Sequence, residues 1–260
     1  MKLGKLRIPV PGRAVSALVG AALAWGAAQA ASSLPQFTLS SIHPQIAASA
    51  AAVSPDSQDS GEFHEYMGPS QADTSLPPGF YYSELDGLGR AGKASACITG
   101  QMRAQARGAD RSGEDLKSIT PSGWSRENPQ VELEFADGQE YSGRLWNRSH
   151  LIAFSLGGAT DARNIVAGTR AQNVGSNSSA SPDGMAYTES LARDWLDSHP
   201  DGWLWYSAEP VYSGDEPICR EVVVDLRSDD GTLDMRVRVP NAAPEVDIDY
   251  SGGTQTCALE

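Results

Sequence analysis

The sequence predicts an α+β domain built on an antiparallel sheet, and three observations lead there. Val131-Glu132-Leu133-Glu134-Phe135 alternates strictly between apolar and acidic residues, the period of a half-buried strand. The C-terminal third holds three further alternating runs, Trp203 to Tyr212, Glu221 to Leu226 and Met235 to Val239. Asp137-Gly138 and Asp230-Gly231 stand where tight turns between strands belong.

Taken in chain order, the N-terminus reads as a secretory signal. Lys2, Lys5, Arg7 and Arg13 precede an apolar run from Val15 to Trp25, and Ala28-Gln29-Ala30 offers the small residues a signal peptidase reads. Residues 1–30 are therefore assigned to a signal peptide and the protein to export. An uncleaved anchor reaching Ala31 and holding the protein at the cell surface is the alternative, weakened by the alanine and glycine content. Residues 31–78 are rich in Ser, Ala and Pro and predict a flexible spacer, with His43 and His64 solvated and idle. The folded domain is expected over 79–253, opening at Gly79-Phe80-Tyr81-Tyr82, with 254–260 as a tail.

Inside that domain Lys93 to Arg107 is rich in Ala and Gln and predicts a helix. A strand over 131–135 turns at Asp137-Gly138, and Gly143 to Ile152 predicts the next strand and its exit. Asp183 is placed as the N-cap of a helix with Met185, Leu191, Trp195 and Leu196 on one side, ending before Pro200. The three C-terminal runs complete the sheet, which helices flank.

Composition narrows the function classes. With 260 residues, 26 Gly, 16 Pro and 40% hydrophobic residues, the chain suits one globular domain and is not collagen-like. Its one long apolar stretch is N-terminal, which excludes a polytopic membrane protein. Cys97, Cys219 and Cys257 are too few and too far apart for a zinc finger or disulfide knot, and sequence does not choose a pair among them. The net charge is −13, concentrated at 176–260, where five basic face seventeen acidic side chains. Such a surface argues against tight nonspecific nucleic-acid binding, but the balanced stretch 97–175 holds a local arginine cluster.

The chemistry concentrates in that stretch. His150 ends Leu145-Trp146-Asn147-Arg148-Ser149-His150, and Gly157-Gly158, Arg163-Asn164-Ile165 and Thr169-Arg170-Ala171-Gln172-Asn173 follow. Alone, His150 reads as a structural hydrogen bonder as readily as a base, and Asn164 and Asn173 as caps or turn residues. Together, one histidine, two neutral amide oxygens and arginines make a phosphodiesterase set. The histidine would activate water, a hard cation would neutralise charge at the phosphate, and an arginine would hold non-bridging oxygens. His199, in a Ser-His-Pro-Asp-Gly turn, reads as solvated.

These motifs, with Tyr187-Thr188-Glu189 downstream, resemble the DNA/RNA non-specific endonuclease family of ββα-metal (His-Me finger) nucleases. The likeness is greatest to secreted and DNA-entry nucleases of Gram-positive bacteria. It extends from Leu85-Asp86-Gly87-Leu88-Gly89-Arg90 and Pro121-Ser122-Gly123-Trp124 to Ile248-Asp249-Tyr250-Ser251-Gly252. The resemblance implies His150 as general base, Asn173 as direct ligand of Mg2+ (or Mn2+), and Asn164 as a second polar residue beside the metal. It implies Glu189 as acceptor from a metal-bound water, though alone Glu189 reads as part of a solvated helix face. Arg148, Arg170 and Arg163 would contact phosphate. The substrate implied is DNA, and RNA as a second substrate, cut by a monomer to leave 5′-phosphates and 3′-hydroxyls. The family's usual aspartate is replaced by Asn147, which removes a charge that would tune the histidine. An inactive member serving as an acidic envelope or interaction protein is the alternative reading. An acidic calcium-binding adhesion module lacks the required ligand spacing.

Overall fold

The alternating runs do become strands. The computed structural model describes residues 63–110 and 115–252; the expected signal peptide, the stretch 31–62 and the C-terminal tail lie outside the described residues. The strands are β1 (Glu65–Gly68), β2 (Gly79–Tyr82), β3 (Ala94–Thr99), β4 (Gln130–Glu134), β5 (Glu140–Arg144), β6 (Trp146–His150), β7 (Ile165–Thr169), β8 (Trp203–Val211), β9 (Glu221–Ser228) and β10 (Asp234–Pro240). The helices are α1 (Gly100–Gly108), α2 (Arg170–Val174) and α3 (Met185–Ser198).

Six strands form one antiparallel sheet in the order β1-β10-β9-β8-β3-β2. Its inner face carries Ala96 and Ile98 of β3, Leu204 and Tyr206 of β8, Val222 and Val224 of β9, and Val237 of β10, all buried. Met185, Leu191, Ala192, Trp195 and Leu196 of α3 join the same core, as the periodicity of 183–199 predicted. The outer face is polar, with ion pairs Arg236–Asp225 (3.3 Å) and Arg227–Asp234.

Four expectations need correction. The spacer does not extend to residue 78: β1 pairs with β10 at one sheet edge, and the chain then crosses the outer face to reach β2 at the other. Asp234 accepts from the Ser70 amide (2.9 Å), Asp225 from the Gln71 amide (2.7 Å), and the Leu76 carbonyl from Trp205 Nε1 (3.0 Å). A polar composition resembled a linker because the segment binds through its backbone. The expected helix over 93–107 is strand to Thr99, whose Oγ1 then accepts from the Met102 amide and caps α1. Small alanines that favour a helix also fit the crowded centre of a covered sheet, and tertiary packing decides. The expected strand over 143–152 divides at Leu145, whose amide donates to the Pro129 carbonyl. Asp183 does not cap α3; Gly184 holds that position.

Two ribbons stand outside the large sheet, β4–β5 and β6–β7. The β6–β7 ribbon is tied down by three side-chain amides. Asn128 brackets Trp146, its Oδ1 accepting from the amide (2.8 Å) and its Nδ2 donating to the carbonyl (2.7 Å). Asn164 brackets Ile152 in the same way, at 2.9 and 3.0 Å. Asn241, just past β10 and fully buried, accepts from the Thr169 amide (2.8 Å) and donates to the carbonyls of Ala167 (2.9 Å) and Cys219 (2.8 Å).

Two outcomes are expected from thermal denaturation. Asn241→Ala leaves three buried backbone groups without partners and is expected to cost about 3 kcal/mol or more, or roughly 6–12 °C in a domain of this size. A chain beginning at residue 79 is expected to lose a similar amount against one beginning at residue 62, because β1 and the crossing segment are removed. An unchanged melting temperature in either would show that these contacts do not hold the fold.

Candidate active site

The β6–β7 ribbon and the helix that follows it make a ββα unit. Strand β6 pairs antiparallel with β7, His150 opposite Ile165 and Asn147 opposite Gly168. Thr169 ends β7 and caps α2, its Oγ1 accepting from the Gln172 amide at 2.9 Å. That hydroxyl in turn donates to the Ala242 carbonyl. The cap therefore fixes α2 to the end of β10 as well as to the ribbon.

One contact joins strand and helix directly. Ser149 Oγ, on a fully buried residue, donates to Asn173 Oδ1 at 3.0 Å. His150 is the next residue, with its Nε2 atom buried. Within the motif, Ser149 carried no role from sequence alone. It is the residue that holds Asn173 against β6. Gln172, also fully buried, lies over Gly168, where an added Cβ would stand 2.1 Å from Gln172 Oε1. The Gln172 side chain thus packs on the bare backbone of Gly168, in space that a Cβ there would share with it and with Ser149.

The arginines divide into three kinds. Arg148 stacks over Trp124 at 4.0 Å and donates through Nε to the Ile119 carbonyl (2.5 Å) and through Nη2 to the Lys117 carbonyl (3.2 Å). Its first task is to pin the loop before β4, and three of its five N–H donors remain for an anion. Arg170 lies over the Tyr141 ring at 4.7 Å, and no carboxylate among the described residues pairs with it. Burial lowers its pKa from the usual arginine value, yet a guanidinium stays charged. A half-buried, unneutralised cation beside the ribbon is suited to phosphate. Arg163 is a correction: it forks onto Asp161 at 2.9 Å and 3.1 Å and reaches Glu84 at 3.1 Å. Those carboxylates hold its pKa above the ordinary range and offset its charge locally.

Asn164 is held by backbone. Its oxygen accepts from the Ile152 amide, and its nitrogen donates to the carbonyls of Ile152 and Ala159, on a residue with no solvent exposure. It clamps the segment leaving β6, with its oxygen and its nitrogen both engaged by backbone. Asn147 lies part-exposed on β6. Glu189 sits on α3 and pairs with Arg193 at 3.6 Å. Helix α3 begins against α2, since a Cβ at Gly184 would stand 2.4 Å from the Gln172 carbonyl oxygen. His199 stacks on Trp195 at 4.3 Å and bonds to its carbonyl, while its side chain stays 38% exposed.

The donors present fit a hydrated divalent cation. Asn173 Oδ1 keeps a lone pair beyond the one Ser149 uses. A neutral amide oxygen suits a hard ion that keeps most of its waters. No group of three His, Cys, Asp or Glu side chains among the described residues could hold a metal, which is unlike a closed structural zinc centre. Cys97 and Cys219 are both free thiols buried in the core.

The pattern of the DNA/RNA non-specific endonuclease family matches residues 70–230. A deoxyribonuclease of Streptococcus dysgalactiae subsp. equisimilis is 32% identical over 198 residues, 66% of this chain and 59% of that protein. The chain thus spans under two thirds of the relative's length. The structure of Sda1 nuclease with a bound zinc ion is 31% identical with a TM-score of 0.68, covering 75% of this chain and 96% of its own. NucA from Streptococcus agalactiae with a magnesium ion bound shares the fold at 22% identity and a TM-score of 0.57, over 74% and 85% of the two chains. With its ββα unit, its antiparallel sheet and this match, the chain belongs to the DNA/RNA non-specific endonuclease family.

Proposed function

We propose that the protein is an exported, sequence-nonspecific endonuclease that hydrolyses phosphodiester bonds of DNA, and of RNA as a second substrate, acting as a monomer with Mg2+. The observation that carries this reading is the Ser149–Asn173 hydrogen bond, which sets a neutral oxygen ligand against the strand that ends in His150. Export rests on the basic, apolar and small-residue succession of residues 1–30. No helix among the described residues is long and apolar enough to cross a membrane.

In this reading His150 takes the proton of the attacking water as general base. Arg170 and the remaining donors of Arg148 hold the non-bridging phosphate oxygens. Asn173 would hold the cation, which when bound supplies charge neutralisation at the scissile phosphate and leaving oxygen. Glu189 accepts from water around it. Mn2+ would serve in place of Mg2+, both being hard enough for an amide oxygen. No base-reading element is needed, because backbone contacts position a duplex without reading its sequence.

Plasmid nicking by the purified protein is expected with Mg2+ and is expected to stop with EDTA. His150→Ala is expected to lower the rate by about 10²–10⁴-fold or more, with the melting temperature unchanged; near-wild-type nicking would remove His150 from the role. Asn173→Ala is expected to shift the Mg2+ titration, whereas Asn164→Ala is expected to lower the melting temperature instead.

Asn147 separates this reading from that of an inactive relative. A carboxylate on the same strand favours the charged imidazole and raises its pKa. Asn147→Asp in an active enzyme is therefore expected to move the pH–rate profile upward by about half a unit or less. A silent wild type rescued by Asn147→Asp would favour the inactive reading, and silence in both would overturn the site.

A further inference from the structure

His64, expected from its surroundings in the chain to be solvated and idle, is held by two side chains instead. Its Nδ1 lies 2.7 Å from Asp183 Oδ1, and its ring stacks on Tyr187 at 3.7 Å with an 18° interplanar angle. The same carboxylate accepts from the Phe63 amide at 2.9 and 3.0 Å and from the Gly184 amide at 2.7 Å. The pair is well covered, with the two side chains 18% and 15% exposed. His64 also lies before the family match, which begins at residue 70.

Asp183 occupies the joint between the two helices of the candidate site. Gly175 ends α2, and a Cβ there would stand 2.5 Å from Asp183 Cβ. On the other side of Asp183, Gly184 abuts the carbonyls of Ala171 and Gln172. Asn173 lies between these contacts on α2, and Tyr187, under the imidazole, is two residues from Glu189 on α3. The N-terminal segment thus reaches across 119 residues of sequence to grip the joint between α2, which carries Asn173, and α3, which carries Glu189.

We propose that His64 is a positioning residue of the nuclease site. Wedged between Asp183 and Tyr187, it holds α2 and α3 at the separation that lets Asn173 and Glu189 serve one divalent ion. The proposal rests on the reading of Asn173 as metal ligand. Two helices joined by the ten residues 175–184 have freedom that is reduced when Asp183, packed against Gly175 at the end of α2, is held by His64, which also stacks on Tyr187 of α3. Losing it lets the helices sample other separations, and ion affinity falls by the fraction of time the site is complete.

The test is Mn2+ binding to the metal-free protein, with free ion counted by electron paramagnetic resonance, alongside the melting temperature. His64→Ala removes a hydrogen bond to a carboxylate and an aromatic stack, and is expected to raise the Mn2+ Kd about five- to tenfold. Nicking at saturating Mn2+ is expected to stay near the wild-type rate. His64→Asn, which restores a polar atom near the Nδ1 position, is expected to recover part of the affinity. Should His64→Ala fail to fold, His64→Asn alone decides, by a raised or unchanged Kd. A lower melting temperature with an unchanged Mn2+ Kd would overturn the proposal, leaving His64 a purely structural contact. Asn173→Ala is the control. Weak binding in Asn173→Ala beside wild-type binding in His64→Ala overturns the latch alone. Wild-type binding in Asn173→Ala beside weak binding in His64→Ala overturns the ligand assignment and keeps His64 as a positioning residue for another ligand of the corner.

Discussion

A two-stranded ribbon is a poor support for a fixed side chain such as His150, and the structure around β6 and β7 follows from that constraint. An isolated pair of strands is marginally stable in water, and among the described residues no further strand pairs with this one on either side. Three asparagines supply what further strands would. Asn128 and Asn164 each bracket one residue as a backbone neighbour does, at Trp146 where β6 begins and at Ile152 just beyond its end. Asn241 ties the end of β7 to the segment before β9 and to the end of β10. The ribbon gains the rigidity of the six-stranded sheet without being part of it, so its ends stay open to a large substrate.

The chemistry of these clamps matters as much as their number. A buried carboxylate could make similar bonds to amides, but it cannot donate to the carbonyls that each clamp also binds. It would also place a charge beside Arg170. Neutral amides satisfy donor and acceptor together and leave the arginine unneutralised. Ser149 and Thr169 follow the same pattern, each a hydroxyl that donates to one oxygen. Some acidic residues instead meet basic partners away from the ribbon, as Glu65 and Glu221 do on either side of Arg238 on the outer sheet. An acidic protein can therefore keep a local cationic surface, because its negative charge lies elsewhere and is screened over about 10 Å at moderate salt.

Much of this was legible in the sequence, and the exceptions share a cause. Strict alternation announced β4, β8, β9 and β10, since a half-buried strand leaves its period in the residue types. The motif order located the ββα unit, since its turns and caps need particular residues at particular spacings. What escaped notice was polar and long-range. Asn241 looks like any asparagine after a proline, and His64 sits in a stretch whose composition resembles a linker. The helix expected over 93–107 failed because alanine suits both a helix and a crowded strand. The backbone bonds of Asn164 were not legible, because an amide that clamps and an amide that binds a cation are the same residue at the same place. Only its hydrogen bonds separate the two.

That distinction bears on how the two motif asparagines divide their work. Asn164 uses its oxygen and both N–H donors on backbone, so rotating it to meet an ion would break three bonds in a site that water does not reach. Asn173 makes one, to a hydroxyl that can turn with it. Freeing Asn164 would strand buried groups at about 1–3 kcal/mol each, and its oxygen sits on a residue with no solvent exposure, while the part-exposed Asn173 can keep its bond to Ser149 and accept a cation on its second lone pair. The same comparison sorts the arginines, where Arg163 is closed by two carboxylates and Arg170 by none among the described residues. A group available to substrate here is one that the fold has left partly unsatisfied, held in place by neighbours that are fully satisfied themselves.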